Sequence, residues 1–229
     1  MRGSVARSRS GAPAVSHPMP QYRDEPDGLG RHQVFERVSR GGSRIRPATD
    51  LPLVDRARQG DLRAFEELVR VRMDAVYRLT HAILGDEADA RDAAQDTFVT
   101  AWRKIREVRD PERFDAWLQR VAVNAARQTY RARRRRGVRE IAMSRMPIAT
   151  DPAGDARLDP AQRADALALD AALRTLPIEQ REILVLHHLE DLSTDDLADR
   201  LSIPPGTVKS RLFTARKALQ AALDGEASR

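Results

Sequence analysis

Hydroxyl-bearing and basic side chains recur along a predicted helix near the C-terminus, where they could bind DNA. Four apolar residues follow one another at spacings of four, three and four, so they share one face: Val208, Leu212, Ala215 and Leu219. The other faces carry Thr207, Lys209, Ser210, Arg211, Phe213 and Thr214. Hydroxyls and cations on an exposed helix suit base contacts in the major groove and phosphate contacts at its edges. The alternative, a merely solvated basic face, is the commoner one for a single helix.

A short helix and a tight turn would hold this helix in place. Ser193 and Asp196 have the spacing of a capping box, which predicts a helix start. The segment Pro204-Pro205-Gly206 then predicts a turn, because prolines lack N–H donors and disfavour helix before them. A second helix can begin at this turn, so the segment predicts a helix-turn-helix.

A second basic cluster ends an earlier predicted helix that runs from Phe114 to about Arg136. Five arginines close this helix: Arg131, Arg133, Arg134, Arg135 and Arg136. Its polar sides also carry Arg120, Asn124 and Arg127. Such a cluster attracts phosphates through counterion release. We favour nucleic acid over a membrane surface as the partner, because the apolar side of this helix is needed for the domain core.

Acidic side chains lie along the helix predicted from about Asp86 to Lys104. Asp92, Asp96 and Val99 nearly share one side, with Gln95 beside them. The buried side is predicted to comprise Ala90, Ala94, Phe98, Ala101 and Trp102. The acidic strip is either solvated or a docking site for a basic helix of a partner.

Composition limits the remaining possibilities. The 229 residues carry a formal net charge of +6 and no cysteine, which excludes disulfides and thiolate metal sites and fits a reducing cytoplasm. No apolar run reaches the roughly 20 residues that span a bilayer, and we expect no membrane insertion. Phosphate-binding glycine motifs, nucleophile elbows and clustered metal ligands are also missing from the sequence, so we expect no catalytic residue, metal or cofactor.

Low aromatic content and the lack of alternating β-branched runs predict an all-α fold. Residues 1–50 are rich in Arg, Ser, Gly and Pro and are predicted to form a disordered basic tail. Residues 137–160 are predicted to be a flexible linker between two small helical domains. Each domain is small enough that mutual packing or partner support is expected.

Three ordered runs together resemble the sigma-70 family of bacterial RNA polymerase sigma factors, specifically its compact extracytoplasmic-function group. These runs are FEELVRVRMDAVYRLTHAILGDEADARDAAQDTFVTAWRKI, FDAWLQRVAVNAARQTYRARRRR and LPIEQREILVLHHLEDLSTDDLADRLSIPPGTVKSRLFTARKAL. The resemblance covers about Leu51 to Leu223.

The resemblance implies a non-catalytic specificity subunit of RNA polymerase. Sigma domain 2, at 51–136, would bind the polymerase clamp helices through Asp92, Gln95 and Asp96. The same domain would open the minus-ten element through Arg120, Asn124, Arg127 and Arg131. Sigma domain 4, at 161–223, would contact the polymerase flap and read the minus-35 element through Thr207, Lys209, Ser210, Arg211, Phe213 and Thr214. Residues 224–229 would form a C-terminal tail.

Two residues depart from the family pattern. Thr214 stands where many members have arginine, and Ser202 stands where a turn glycine is usual. The resemblance also implies a cytoplasmic, nucleoid-associated protein that acts in a stress or envelope response and is controlled by an anti-sigma factor. The alternative function is a stand-alone helix-turn-helix regulator, for which the sequence offers no obvious dimerisation helix.

Overall fold

All of the regular secondary structure in the described part of the chain is helical. The computed structural model describes residues 50–137 and 160–227, and residues 1–49 of the predicted N-terminal tail and nearly all of the predicted linker lie outside them. Two short 3-10 turns, Ile105–Glu107 and Pro111–Arg113, interrupt the helices. The helices are α1 (Leu51–Arg58), α2 (Leu62–Leu84), α3 (Glu87–Lys104), α4 (Phe114–Gly137), α5 (Pro160–Thr175), α6 (Ile178–His188), α7 (Thr194–Leu201) and α8 (Pro205–Ala227). The predicted all-α class is confirmed, and none of these helices is long and apolar enough to cross a membrane.

Helix boundaries in the front half follow local capping chemistry. The Asp61 carboxylate accepts a hydrogen bond from the Ala64 amide at the start of α2, and Asp86 does the same for Asp89 at the start of α3. Gly85 ends α2 in the left-handed region, with φ of +68°. These caps place the turn between α2 and α3 and set the two helices side by side.

A buried arginine joins three parts of the front half. Arg72 on α2 donates from Nε to Asp115 on α4 at 2.8 Å and from Nη1 to Asp50 at 3.0 Å. An uncompensated buried charge is costly, and here both carboxylates compensate the guanidinium. The start of α4 is therefore fixed against α2, which orients the remainder of that helix.

The prediction that Trp102 is buried was wrong. Its side chain is 36% exposed, although its ring lies 4.9 Å from that of Phe65. Ala101 takes the core position on α3, and one residue further rotates the side chain by about 100° towards solvent. On α5, Leu167 is 40% exposed, because this helix packs through Ala166, Leu169, Ala172 and Leu173.

The predicted helix-turn-helix is present. Ser193 and Asp196 form both hydrogen bonds of the capping box at the start of α7. Ser202 ends α7 in the left-handed region with φ of +54°, and α8 begins at Pro205. Leu197 and Leu201 of α7 pack into the same apolar cluster as Val208 and Leu212 of α8. The turn therefore holds α8 across α7 with its polar faces outward.

Replacing Ser202 with glycine is expected to raise the free energy of unfolding by about 1 kcal/mol, because a side chain in the left-handed region is strained. Urea unfolding followed by circular dichroism measures this change. Ser202→Ala keeps the Cβ atom and is expected to give no gain. A Ser202→Gly protein less stable than the natural chain would contradict the expectation.

The two halves pack against each other through polar and apolar contacts. Arg181 on α6 donates to the carbonyl oxygens of Ile83 and Leu84 at the end of α2, at 2.8 and 3.1 Å. The same guanidinium donates to the carbonyls of Arg174 and Leu176 in its own half. Apolar residues of both halves belong to one buried cluster. Of the two expected kinds of support, mutual packing or a partner, the described residues show mutual packing.

A histidine at the end of α2 lies close to this contact. His81 stacks on Tyr77 with 5.6 Å between ring centroids, and its buried Nε2 has no hydrogen-bond partner among the described residues. Burial lowers the pKa of His81 below its ordinary value of 6.5, and the positive charge of Arg174 lowers it further, while Glu87 and Asp86 partly oppose the shift. The packed state therefore favours neutral His81.

This pKa shift predicts a pH dependence of stability. The unfolded chain binds a proton at His81 more readily than the folded chain, so this residue's contribution is complete above pH 6.5 and is lost as the pH falls below it. We expect His81→Phe to lose less unfolding free energy than the natural chain between pH 7.5 and 5.5. Urea unfolding of both proteins at each pH isolates His81 from other titrating groups. Equal losses would contradict the assignment.

Candidate nucleic-acid and partner surfaces

The outer side of α3 combines acidic and apolar side chains. Asp92, Gln95 and Asp96 are all exposed, while Ala93, Ala94, Thr97 and Phe98 face the core. Val99 is 48% exposed on the same side, and Trp102 follows it one helical turn later. Sequence reasoning missed the contribution of Trp102, since it assigned that side chain to the core. We define the α3 face as Asp92, Gln95, Asp96, Val99 and Trp102.

The predicted minus-ten residues follow one another along α4 at spacings of four, three and four. Arg120, Asn124 and Arg131 are exposed, and no helix of the described residues covers them. Arg127 is half-buried, and its guanidinium makes two 2.6 Å hydrogen bonds to the Glu182 carboxylate on α6. The structure therefore keeps three of the four side chains on an open surface and engages the fourth with the other half of the chain.

The arginine cluster at the end of α4 is partly tied to α3. Arg133 donates to Asp89 at 2.8 Å and lies 3.6 Å from Asp86, both in the first turn of α3. Arg134 and Arg135 are exposed. The exposed arginines thus prolong the basic surface of α4 beyond Arg131, while Arg133 anchors the end of the helix.

Helix α8 presents the predicted DNA-reading residues on its outer side. Val208, Leu212, Ala215 and Leu219 are buried, as their spacing predicted. The exposed residues are Lys209, Ser210, Arg211, Phe213 and Thr214, while Thr207 is half-buried. The phenyl ring of Phe213 is 56% exposed, which is unusual for a large apolar side chain. This outer side offers cations, hydroxyls and one aromatic ring to a partner.

The two hydroxyls of this surface already donate within α8. Ser210 Oγ donates to the Thr207 carbonyl at 3.0 Å, and Thr214 Oγ1 donates to the Ser210 carbonyl at 3.0 Å. Each oxygen can still accept a hydrogen bond from a base amino group. No group of three or more His, Cys, Asp or Glu that could hold a metal ion occurs in the described residues.

Sequence comparison assigns both halves to one family. The pattern described as Sigma-70 region 2 matches residues 68–136, and that described as Sigma-70, region 4 matches residues 166–219. An RNA polymerase sigma-E factor of Streptomyces antibioticus is 33% identical over 168 residues, covering 72% of this chain and 88% of that protein. An ECF RNA polymerase sigma-E factor of Haemophilus influenzae is 31% identical over 178 residues, covering 75% and 94%. The chain belongs to the extracytoplasmic-function group of sigma-70 factors.

Solved structures agree with this assignment to the sigma-70 family. CnrH, solved in complex with the cytosolic domain of CnrY, superposes with a TM-score of 0.55 at 30% identity, covering 78% of this chain and 99% of that one. RpoE of Bartonella quintana, solved in complex with the anti-sigma factor NepR, gives 0.57 at 25% identity, covering 71% and 98%. As a sigma factor, the chain binds RNA polymerase and promoter DNA and directs transcription initiation.

The sequence did not reveal which polar residues join the halves of this sigma factor. Glu182 and Arg181 lie next to the apolar run Ile183–Leu186, and that position within a strongly apolar helix was the available signal. Burial raises the pKa of Glu182, and the Arg127 guanidinium opposes part of that rise. Gln119 on α4 also donates to Glu190 at 2.7 Å. Arg127 and Glu182 lie 55 residues apart in the chain, and Gln119 and Glu190 lie 71 residues apart.

Proposed function

We propose that this sigma factor divides polymerase binding and promoter recognition among three surfaces. Residues 51–136 act as domain 2 and residues 161–223 as domain 4. The observation that carries the proposal is that one chain exposes an acidic and apolar helix face together with two separate polar, basic helix faces. The chain contributes no catalytic group, metal or cofactor of its own, because its part is to position the polymerase.

The α3 face is the proposed binding site for the polymerase clamp helices. Its carboxylates suit a basic partner surface, and electrostatic complementarity of this kind speeds association and fixes orientation. Val99 and Trp102 add apolar area that a partner can bury. A rim of charge around exposed apolar side chains is typical of a protein interface. Domain 4 is proposed to contact the polymerase flap.

The α4 surface is the proposed minus-ten reader. The Asn124 amide can donate to and accept from a base edge once strand separation exposes the base. Arg120 and Arg127 lie about one turn to either side of Asn124, and Arg131 lies about two turns after it, where these side chains can meet phosphates of the same strand. We expect the exposed Arg134 and Arg135 to add affinity without sequence preference.

The outer side of α8 is the proposed minus-35 reader. Ser210, Phe213 and Thr214 lie furthest from the core and are placed to meet base edges, whereas Lys209 on the flank is placed to meet a phosphate. With threonine at 214, the base discrimination that a bidentate guanidinium supplies, about 1–3 kcal/mol, is absent at that position. The minus-35 sequence of this protein should therefore differ from that of relatives with arginine there.

The phosphate role of Lys209 predicts a specific change in salt dependence. Lys209→Ala should reduce the slope of log affinity against log salt concentration by about 0.9 while leaving the preferred sequence unchanged. Fluorescence anisotropy on duplex DNA with a minus-35 element, at four salt concentrations, measures the slope. Gln220→Ala, an uncharged exposed position on α8, is the control. An altered base preference with an unchanged slope would assign Lys209 to base reading instead.

We also propose that an anti-sigma factor controls this chain, in a stress or envelope response. The support is that both solved relatives described above were solved in complex with protein partners, one of them named as an anti-sigma factor. The protein is proposed to act in the cytoplasm on the nucleoid, where polymerase and promoter DNA are found.

Co-purification tests the proposed function against the alternative of a stand-alone regulator. Tagged chain mixed with bacterial core polymerase is expected to retain the polymerase subunits. Transcript starts mapped after expression of the chain should share a minus-ten and a minus-35 promoter element. Binding to bare palindromic duplex DNA without retention of polymerase would favour the regulator. The match of both halves to sigma factors already weighs against that alternative.

A further inference from the structure

One exposed cation lies just beyond the C-terminal end of the α3 face. Arg103 lies four residues after Val99 and seven residues after Asp96, and Asp92 comes one turn earlier still. At about 100° per residue, these four side chains lie within about 60° of one another around the helix. All four are exposed. The side of α3 that is proposed to meet polymerase is therefore acidic at its start, apolar in the middle and basic at its end.

Most charged side chains elsewhere on α3 are already paired within the protein. Glu87 pairs with Arg91, and Asp89 accepts a hydrogen bond from Arg133 of α4 at 2.8 Å. By contrast, the two carboxylates of the α3 face and the Arg103 guanidinium form no ion pair or side-chain hydrogen bond with any residue that the structure describes. These three charges are therefore available to a partner that lies along the helix.

We propose that Arg103 contacts polymerase and fixes the direction in which the clamp helices dock on α3. The clamp-helix segment that lies along α3 carries a cation opposite Asp92 and Asp96 and a carboxylate opposite Arg103. This inference rests on the proposed function, because it uses the assignment of the α3 face to the clamp helices. The partner is specified by the order of its charges as well as by their sign.

Helix geometry sets the spacing that the partner must match. At a rise of about 1.5 Å per residue, Arg103 lies about 10 Å along α3 from Asp96 and about 16 Å from Asp92. Both separations exceed the Debye length of about 8 Å at physiological ionic strength, so a charge on the partner acts mainly on the nearer end of α3. A partner helix that lies along α3 therefore needs its cation and its carboxylate about two to three turns apart.

The order of the charges distinguishes the correct docking direction from its reverse. In the correct direction each end of α3 meets an opposite charge, while Val99 and Trp102 supply apolar area between them. If the partner segment is turned end for end, both ends of α3 face like charges, which disfavours that arrangement. A face with carboxylates alone would not distinguish the two directions by charge. Arg103 supplies that distinction.

A cation at the end of a helix more commonly serves to stabilise the helix itself. Arg103 and Lys104 both lie in the last turn of α3, where the helix dipole favours positive charge. Lys104 is also exposed, but it lies about 100° away from Arg103 around the helix. The dipole would act on both residues alike, whereas the proposed polymerase contact involves Arg103 alone. Lys104 is therefore the matched control.

Reversing the charge at Arg103 tests the proposal. Arg103→Glu is expected to weaken binding of the full chain to immobilised core polymerase by about tenfold or more, because a carboxylate would then face a carboxylate. Lys104→Glu changes the net charge equally and should bind within about twofold of the natural chain. Biolayer interferometry measures both affinities. Equal losses in the two variants, or no loss in either, would overturn the proposal.

Arg103→Gln covers the case in which Arg103→Glu fails to fold. Glutamine has a helix propensity close to that of arginine, so α3 should still form. Loss of the charge alone should weaken polymerase binding by about threefold. Urea unfolding followed by circular dichroism checks that the variant is folded. Unchanged affinity of a folded Arg103→Gln protein would overturn the proposal.

Core polymerase variants test the opposing carboxylate directly. Single Asp and Glu residues along the clamp helices are replaced with lysine, and each variant enzyme is mixed with Arg103→Glu and with the natural chain. One replacement should restore binding of Arg103→Glu and weaken binding of the natural chain, and the absence of any such replacement would overturn the proposal. If the natural chain does not bind natural core polymerase, the proposed function fails together with this inference. If the natural chain and Arg103→Glu bind equally well, only the inference about Arg103 fails.

Discussion

Replacing Asp92 and Asp96 together with arginine is expected to weaken binding of the chain to core polymerase at least 100-fold. Both carboxylates are exposed on the α3 face, one helical turn apart. A basic partner surface would then meet two cations instead of two anions, and like charges facing each other at an interface cost several kcal/mol. A 100-fold loss corresponds to about 2.7 kcal/mol. Biolayer interferometry with immobilised core polymerase measures the affinity.

The control must change net charge equally without touching the α3 face. Glu66→Arg with Asp74→Arg does so on the exposed side of α2. We expect this control to retain polymerase affinity within about twofold, because charges distant from an interface act weakly at physiological salt. Equal losses in both double variants would mean that overall charge, rather than the α3 face, governs binding. No loss in either would reject the α3 face as the clamp-binding site.

Replacing Arg181 with leucine is expected to lower the free energy of unfolding by about 3–5 kcal/mol, which is a large share of the stability of a typical domain. The guanidinium donates to four backbone carbonyls, two at the end of α2 and two around the end of α5. Leucine would leave buried acceptors without donors. Urea unfolding followed by circular dichroism measures the loss.

Arg181→Lys separates charge from geometry. A lysine ammonium carries the same charge but cannot reach all four carbonyls with the planar fork of a guanidinium. We therefore expect Arg181→Lys to lose some free energy of unfolding relative to the natural chain, but less than Arg181→Leu loses. An exposed arginine, Arg63→Leu on α2, should change stability by less than about 0.5 kcal/mol. A loss for Arg181→Leu no larger than for Arg63→Leu would show that the contact does not hold the halves together.

Local chemistry made much of the fold predictable. The Ser193–Asp196 capping box, the Asp61 cap and the stop at Gly85 all depend on neighbours within a few residues, and the capping box lies where the sequence predicted it. The buried face of α8 followed from helical periodicity for the same reason. The exposed positions of Asp92 and Asp96 followed likewise, since helix register decides which side they occupy.

Contacts between distant segments were not predictable in this way. Periodicity identifies a helix face, but it does not say whether another helix covers that face. Trp102 was therefore assigned to the core, although nothing in the described structure packs over its outer edge. The pairing of Arg127 with Glu182 depends on how two halves joined by a long segment come together, which no local pattern encodes. The proposed roles in DNA binding remain predictions.

Reconstituted transcription shows whether this chain directs core polymerase to a promoter. Core polymerase from a bacterium, purified free of its own sigma factors, is mixed with template DNA carrying a promoter mapped by expression of this chain. We expect run-off transcripts from the mapped start only when the chain is added, and none when either promoter element is scrambled. Transcripts independent of the chain, or no transcripts despite an active core enzyme, would show that the chain is not the promoter-recognition subunit.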